Sequence, residues 1–291
     1  MATPTDPRQD ENTYFIDAEN AAEMARLTNQ DRIITRMMGS LFPEQLDFAH
    51  NIHDILDIGC GPGGWVLDVA HVYPEKRVVG IDISTLMIEY ARYQAYIQSL
   101  NNVSFKVMNA LESLDFPDNS FDFVNARFIS GFMPPAVWPQ FMQECLRIIR
   151  PGRVIRLTEP EYPLSNSLGC EKLGGWLTKA MQLAGQSFSP DGRHVGITPF
   201  LGRFLRDTGY QDIQKAAYVL DSSIGTEDHL SQYQNTRVFL KLLQPFLIKM
   251  GVTTQEEVDR LYEQALTEMA SADYCSLWYF LSVWGVKPQQ V

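Results

Sequence analysis

The stretch that decides the fold is "ILDIGCGPGGW", residues 55–65. An apolar run, "DILDI", leads into glycines, and the segment beyond them, "GWVLDVAHVY", has a helical pattern. Strand, glycine turn and helix in that order open a βαβ unit. Gly59, Gly61 and Gly64 satisfy the dinucleotide spacing G-x-G-x-x-G, in which glycine permits a tight turn and close approach of a ligand to the backbone. Asp57, however, stands at the mouth of this loop.

That acid discriminates between ligands. A carboxylate would repel the pyrophosphate of NAD or FAD. S-adenosylmethionine (SAM) has no phosphate and carries a sulfonium and an α-ammonium, which Asp57 can stabilise directly or by fixing the loop through backbone N–H groups. The plainer alternative is an acid that only caps nearby amides. Asp82, ending the next strand "RVVGID", suits the hydroxyls of a ribose.

Outward from the loop the rhythm repeats. Ser84 caps a helix through "TLMIEYARYQAYIQSL", "VSFKVM" alternates as a third strand, and "PDNS" turns into a fourth, "FDFVNARF". A helix through "WPQFMQECLRII" and the "RPGR" turn lead to a fifth, "VIRLTE". Such alternation predicts a parallel sheet with helices on both faces. Upstream, Asp17 is the expected N-cap of a helix running to about Met38 and stopped by Pro43. Downstream, residues 160–200 read as helical with no strand. "QKAAYVL" follows as a sixth strand, residues 226–270 are helical, and an apolar strand runs from about Leu277 to Val286.

These motifs resemble the class I SAM-dependent methyltransferases, in particular small-molecule enzymes similar to the ubiquinone/menaquinone C-methyltransferases. The resemblance rests on "LDIGCGPGG", "VVGIDIS" with Met87, "NALE", "FPDNSFDFV" and "LRIIRPGR", in that order over residues 54 to about 159. It implies a Rossmann-like, mostly parallel sheet of seven strands, with an N-terminal helix and helical lid insertions. The division expected is a tail and cofactor-covering helix over 1–45, a SAM-binding core over 46–160, and lid insertions with the last two strands over 161–291.

It also implies roles. Gly59, Cys60, Gly61 and Gly63 would line the methionine end of SAM above Asp57. Asp82 would hold the ribose, with Ile83 and Met87 near the adenine. Asn109, Ala110 and Leu111 would read the adenine edge, and Asn125 and Arg127 would lie near the sulfonium. Similar enzymes fold an N-terminal helix over the cofactor, which makes Tyr14, Met24 and Arg26 candidates. Two departures stand out. Arg153 replaces the second glycine after "RPG", and "NARFISGF" lacks the histidine frequent in relatives.

Methyl transfer needs a base only if the acceptor keeps a proton at attack. His194, Glu159, Glu161 and Tyr162 are the candidates, with a plain loop histidine and a structural acid as the alternatives for the first two. Phe128, Phe132, Tyr162 and Trp176 are expected to wall an apolar or aromatic acceptor site. No carboxylate pattern for a metal is apparent. The product would be S-adenosylhomocysteine. A SAM-binding protein that catalyses a non-methylating reaction such as a cyclisation remains open, and an NAD-dependent oxidoreductase is disfavoured by Asp57.

Composition narrows the partners. A formal net charge of -11 over 291 residues argues against nucleic acid or an anionic membrane. Four scattered cysteines, without a C-x-x-C pair, fit a reduced cytoplasmic protein. The start "MATPTDPRQDEN" reads as a polar tail and not as a signal peptide, and no run approaches a membrane span. A small-molecule acceptor is the expected partner, and a homodimer is left open.

Overall fold

The computed structural model describes residues 13–44 and 52–289, so the polar start and the expected boundary at 45/46 lie outside the described residues. Strands β1 (Asp54–Ile58), β2 (Arg77–Asp82), β3 (Val103–Val107), β4 (Phe121–Arg127) and β5 (Ile149–Pro160) pair in parallel in the spatial order β3-β2-β1-β4-β5. The chain order therefore switches on either side of β1, and the crevice at the strand ends there is where such sheets take ligands.

Side chains alternate across a strand, so β1 serves two cores. Ile55 packs with Val78, Phe105 and Phe123 beneath the helices α2 (Gly64–Val72) and α3 (Thr85–Ile97). Leu56 and Ile58 pack on the opposite face with Val124, Ile155 and the helix α4 (Trp138–Ile148). The sheet carries the seven expected strands and one short addition. Strand β6 (Leu164–Ser165) interrupts the stretch expected to be wholly helical, β7 (Gln211–Asp221) follows it, and β8 (Ser276–Val286) runs antiparallel to β5, β6 and β7. The last strand thus lies between β5 and β7, stitching the C-terminal third into the sheet.

The remaining helices cover the strand ends. α1 (Ala21–Met37) buries Ile33, Ile34 and the following Met38 against Leu220, Trp278 and Phe280 of β7 and β8. α5 (Leu168–Leu183), α6 (Leu201–Thr208), α7 (His229–Lys249) and α8 (Gln255–Met269) extend the α4 core through Leu173, Leu201, Leu243 and Leu261. Two boundaries differ from expectation. Asn20, not Asp17, caps α1, its Oδ1 accepting from Ala22 N at 2.8 Å, because the Asp17 carboxylate is taken by Glu19 N. Strand β5 begins at Ile149 and takes in the expected RPGR turn, whereas α1 ends as expected, with Met38 as its C-cap ahead of a left-handed Gly39. Among the described residues no helix is long and apolar enough to cross a membrane.

Candidate active site

Two cavities, of about 160 and 140 Å³, open at the carboxyl ends of the parallel strands. They share Tyr14, Gln30 and Phe128 in their walls. The first lies over the glycine loop, between β1, β2 and α1. Its charged lining is three carboxylates, Asp31, Asp57 and Asp82, against one guanidinium, Arg127. Such a surface favours a cation and disfavours a pyrophosphate.

Register explains how Asp57 is held. Asp57 lies opposite Asn125, and Asn125 opposite Arg156, on three adjacent strands. Their side chains form a ladder: Arg156 Nε donates to Asn125 Oδ1 at 2.8 Å, and Asn125 Nδ2 donates to Asp57 Oδ1 at 2.7 Å. Glu44 accepts from Arg156 Nη1 at 3.0 Å at the far end. Burial pushes the Asp57 carboxyl up to about 7, against the pull of Arg127 and Asn125. A cation entering the cavity would favour the charged form. Asp82 is held differently, accepting from Gly61 N and Ser84 N at 2.9 Å each, so it pins the glycine loop to the end of β2.

Two glycines of the loop are demanded by packing. Gly63 caps α2 at φ +81°, where a Cβ would lie 2.8 Å from Ala91 and Phe105. A Cβ on Gly64 would lie 2.4 Å from Asp31 Oδ2. That close approach lets α1 lay Asp31 on the loop, where its Oδ1 accepts from Arg127. Asp31 Oδ2 is buried with no hydrogen-bond partner among the described residues, an unmet acceptor beside the cavity. An ammonium there would satisfy it. Ile83, Met87, Met108, Ala110 and Leu111 make the other end of the cavity apolar.

The second cavity lies between α1, α5, α7 and the ends of β4, β5 and β8. Phe15, Phe128, Tyr162, Leu177, Met181, Phe239 and Trp278 supply most of its wall. Phe128 adopts φ +59°, a left-handed backbone that a bulky residue rarely takes. Glu159 imposes it. Fully buried, its carboxylate accepts from Ile129 N at 2.9 Å, Ser130 N at 3.2 Å and Ser130 Oγ at 2.6 Å, while Phe128 N donates to Thr158 O at 2.8 Å. Burial pushes Glu159 up to about 8, against those hydrogen bonds. Glu161 shapes the opposite wall by accepting from Val195 N, Gly196 N and Thr198 Oγ1.

Thus Tyr14, Asp57, Gly59, Cys60, Gly61, Asp82, Ile83, Met87, Asn109, Ala110, Leu111 and Arg127 all line the first cavity. Others fall elsewhere. Gly63 turns to α3 and Asn125 lies beneath Asp57 in the ladder. Met24 sits one turn before Leu27 on α1 and reaches neither cavity. Arg26 lines the second cavity, not the first, because Glu23 accepts from its Nε and Nη2 at 2.7 Å each and draws it there. Of the four expected acceptor-site residues, Phe128 and Tyr162 line the second cavity. Phe132 lines the first, and Trp176 packs against the α4 core, away from both. Of the four base candidates, Glu161 and Tyr162 line the second cavity, whereas His194 and Glu159 are brought to neither. His194 is exposed, its neighbour Val195 facing inward instead, and the carboxylate of Glu159 is occupied by the loop after β4.

Residues that the sequence reading passed over come mainly from two helices: Leu27, Gln30 and Asp31 from α1, and Gln232, Asn235 and Thr236 from α7. A signal existed in α1. Glu23, Arg26, Gln30 and Ile34 recur at helical spacing on its inward side, so polar residues share a face with the apolar ones.

Known proteins resemble this chain in sequence and in fold. A family model described as a methyltransferase domain matches residues 55–152. The Aspergillus luteorubrus protein named "Probable methyltransferase ltbC" is 27% identical over 77% of this chain and 81% of its own length. A demethylmenaquinone methyltransferase of Symbiobacterium thermophilum is 33% identical over 59% of this chain and 68% of its own. Against the Listeria welshimeri enzyme of that name the match spans only 46% of the relative's length. Among solved structures, a Haemonchus contortus phosphoethanolamine N-methyltransferase in complex with SAM superposes with a TM-score of 0.53 at 20% identity. That match covers 88% of this chain and 53% of the other.

Proposed function

Because this chain belongs to the class I SAM-dependent methyltransferases, we propose that it methylates a small, largely apolar or aromatic metabolite held in the second cavity. The observation that carries this reading is the meeting of an acidic cavity and an aromatic one at Tyr14, Gln30 and Phe128. The S. thermophilum relative, named for demethylmenaquinone, points to an aromatic acceptor as well.

The cofactor supplies an electrophilic methyl on a sulfonium. Asp57 and Asp31 would offer carboxylate oxygens to its cationic end, Asp82 would hold the ribose, and Met87, Ala110 and Leu111 would take the adenine. The chain's own part is alignment and exclusion of water. Phe128, fixed in its left-handed turn, stands between the two cavities and sets the line of approach. Among the side chains of the second cavity, Glu161 is fully engaged by the 195–198 segment. No carboxylate among the described residues of this cavity is therefore left to serve as a base, and an acceptor that attacks without a protein base fits best.

Incubation with methyl-labelled SAM and fractionated small-molecule extracts tests this. The expected result is a product heavier by one methyl, with one S-adenosylhomocysteine per turnover. Conversion of a substrate with no gain in mass and no S-adenosylhomocysteine would establish the non-methylating alternative. His194→Ala should leave kcat within about twofold, since a base worth having contributes about 10²-fold or more.

A further inference from the structure

We infer that the α7 end of the second cavity is a neutral hydrogen-bond-donor site, and that the acceptor molecule is an uncharged aromatic bearing a carbonyl-type oxygen there. This rests on the methyltransfer reading above and specifies its substrate class.

The site is built outward from a buried ion pair. Glu23 is fully buried, and its carboxylate accepts from Arg26 Nε and Nη2 and from Tyr14 OH, each at 2.7 Å. Arg26 carries its charge into the cavity wall already neutralised. Its Nη1 donates onward to Gln30 Oε1 at 2.6 Å and to Asn235 Oδ1 at 3.3 Å. A guanidinium has no acceptor, so the oxygen of each amide must face it and the NH₂ of each must face away. That fixes the direction of the rest. Asn235 Nδ2 donates to Gln232 Oε1 at 3.4 Å, and Gln232 Nε2 to Thr236 Oγ1 at 3.4 Å. Positions 232, 235 and 236 share one face of α7.

Every link in this chain donates away from Arg26. Both α7 links are long, so a better-placed oxygen in the cavity would compete for the same N–H groups. Gln30, Asn235 and Thr236 therefore present N–H and O–H donors without net charge. A carboxylate or phosphate would want a free cation, and Arg26 is committed to Glu23. An ammonium would meet donors where it needs acceptors. A carbonyl oxygen fits, and the aromatic body behind it has Phe15, Tyr162, Phe239 and Trp278 to pack against.

The test uses three probes, naphthol, acetylnaphthol and hydroxynaphthoate, titrated calorimetrically into the full chain saturated with S-adenosylhomocysteine. Acetylnaphthol should bind about fivefold tighter than naphthol, the factor given by one net hydrogen bond of ordinary strength. Hydroxynaphthoate should bind no better than naphthol. Asn235→Leu should abolish the acetyl advantage, read as the ratio of acetylnaphthol to naphthol affinity in the same variant. Thr236→Val, nearly isosteric and one step further from the ion pair, should reduce that advantage in a variant whose Glu23–Arg26 pair is untouched. Naphthol binding without an acetyl advantage, or hydroxynaphthoate binding tightest, would overturn the donor site and leave the aromatic acceptor cavity standing. If none of the three binds, the acceptor assignment itself fails and the inference with it.

Discussion

Asp57 stands at a titration point set by its surroundings, and that makes it testable alone. With its carboxyl raised to about 7, it is mostly protonated in slightly acid solution and must lose the proton as a cation binds. SAM affinity should therefore fall as pH drops below 7, by up to about tenfold per unit. Calorimetry in buffers of different ionisation enthalpy should register the proton released. Asp57→Asn should flatten the dependence and bind more weakly at pH 8. An unchanged pH profile in that variant would place the titrating group elsewhere. Phe128 offers a second test at this scale. Ordinarily alanine is favoured over glycine, but at φ +59° the order should reverse. Phe128→Gly should be more stable than Phe128→Ala by about 1 kcal/mol in urea unfolding. A more stable alanine variant would mean that the left-handed turn after β4 is not held in solution.

At the scale of the element, α1 is what completes the first cavity. Its Leu27, Gln30, Asp31 and Ile34 line that cavity, and its Ile33 and Met38 anchor it on β7 and β8. Asp31 brings the acceptor oxygen that lacks a partner. Asp31→Asn should weaken both SAM and S-adenosylhomocysteine by about 1.5–3 kcal/mol if the α-ammonium is what it meets, since both ligands carry that group. A loss confined to SAM would assign Asp31 to the sulfonium. Equal affinity for wild type and variant would show that α1 does not touch the cofactor's charged end.

For the whole molecule, the buried acids predict how stability depends on pH. Asp57 and Glu159 have carboxyls raised to about 7 and about 8, so between pH 5 and 8 the folded chain keeps protons that the unfolded chain has lost. Stability should therefore decline as pH rises through this window. Glu144, held down to about 2 chiefly by its hydrogen bonds with Arg147, acts in the opposite sense, and its contribution is lost only in acid below about pH 4.5. A maximum near pH 5 is expected in chemical denaturation. SAM should flatten the alkaline decline by stabilising ionised Asp57. Stability that rises steadily from pH 5 to 8 would contradict the burial assigned to both acids.

What the sequence determined by itself is the part encoded locally. Period-two apolar runs, the glycine turn and Ser84 place the first five strands and their helices within a few residues. The glycine loop, Asp57 and Asp82 fall where strand ends of a parallel sheet must put them. The ladder Asp57–Asn125–Arg156 was hidden although each residue was visible, because it depends on register between strands about 30 to 70 residues apart. The same holds for the sorting of acids. Glu159 and Asp57 both end apolar strands, yet one is consumed by the amides of Ile129 and Ser130 and the other faces a cavity. His194 looked catalytic by residue type, and only the path of the 187–198 segment turned it outward. The second cavity was the least legible of all. Its polar end joins Gln30 to Asn235 across some 200 residues, through a guanidinium whose direction of donation no local pattern records. Local propensity fixes elements and their termini. Which side chains share a cavity is decided by how the elements pack, and there the information is distributed over the whole chain.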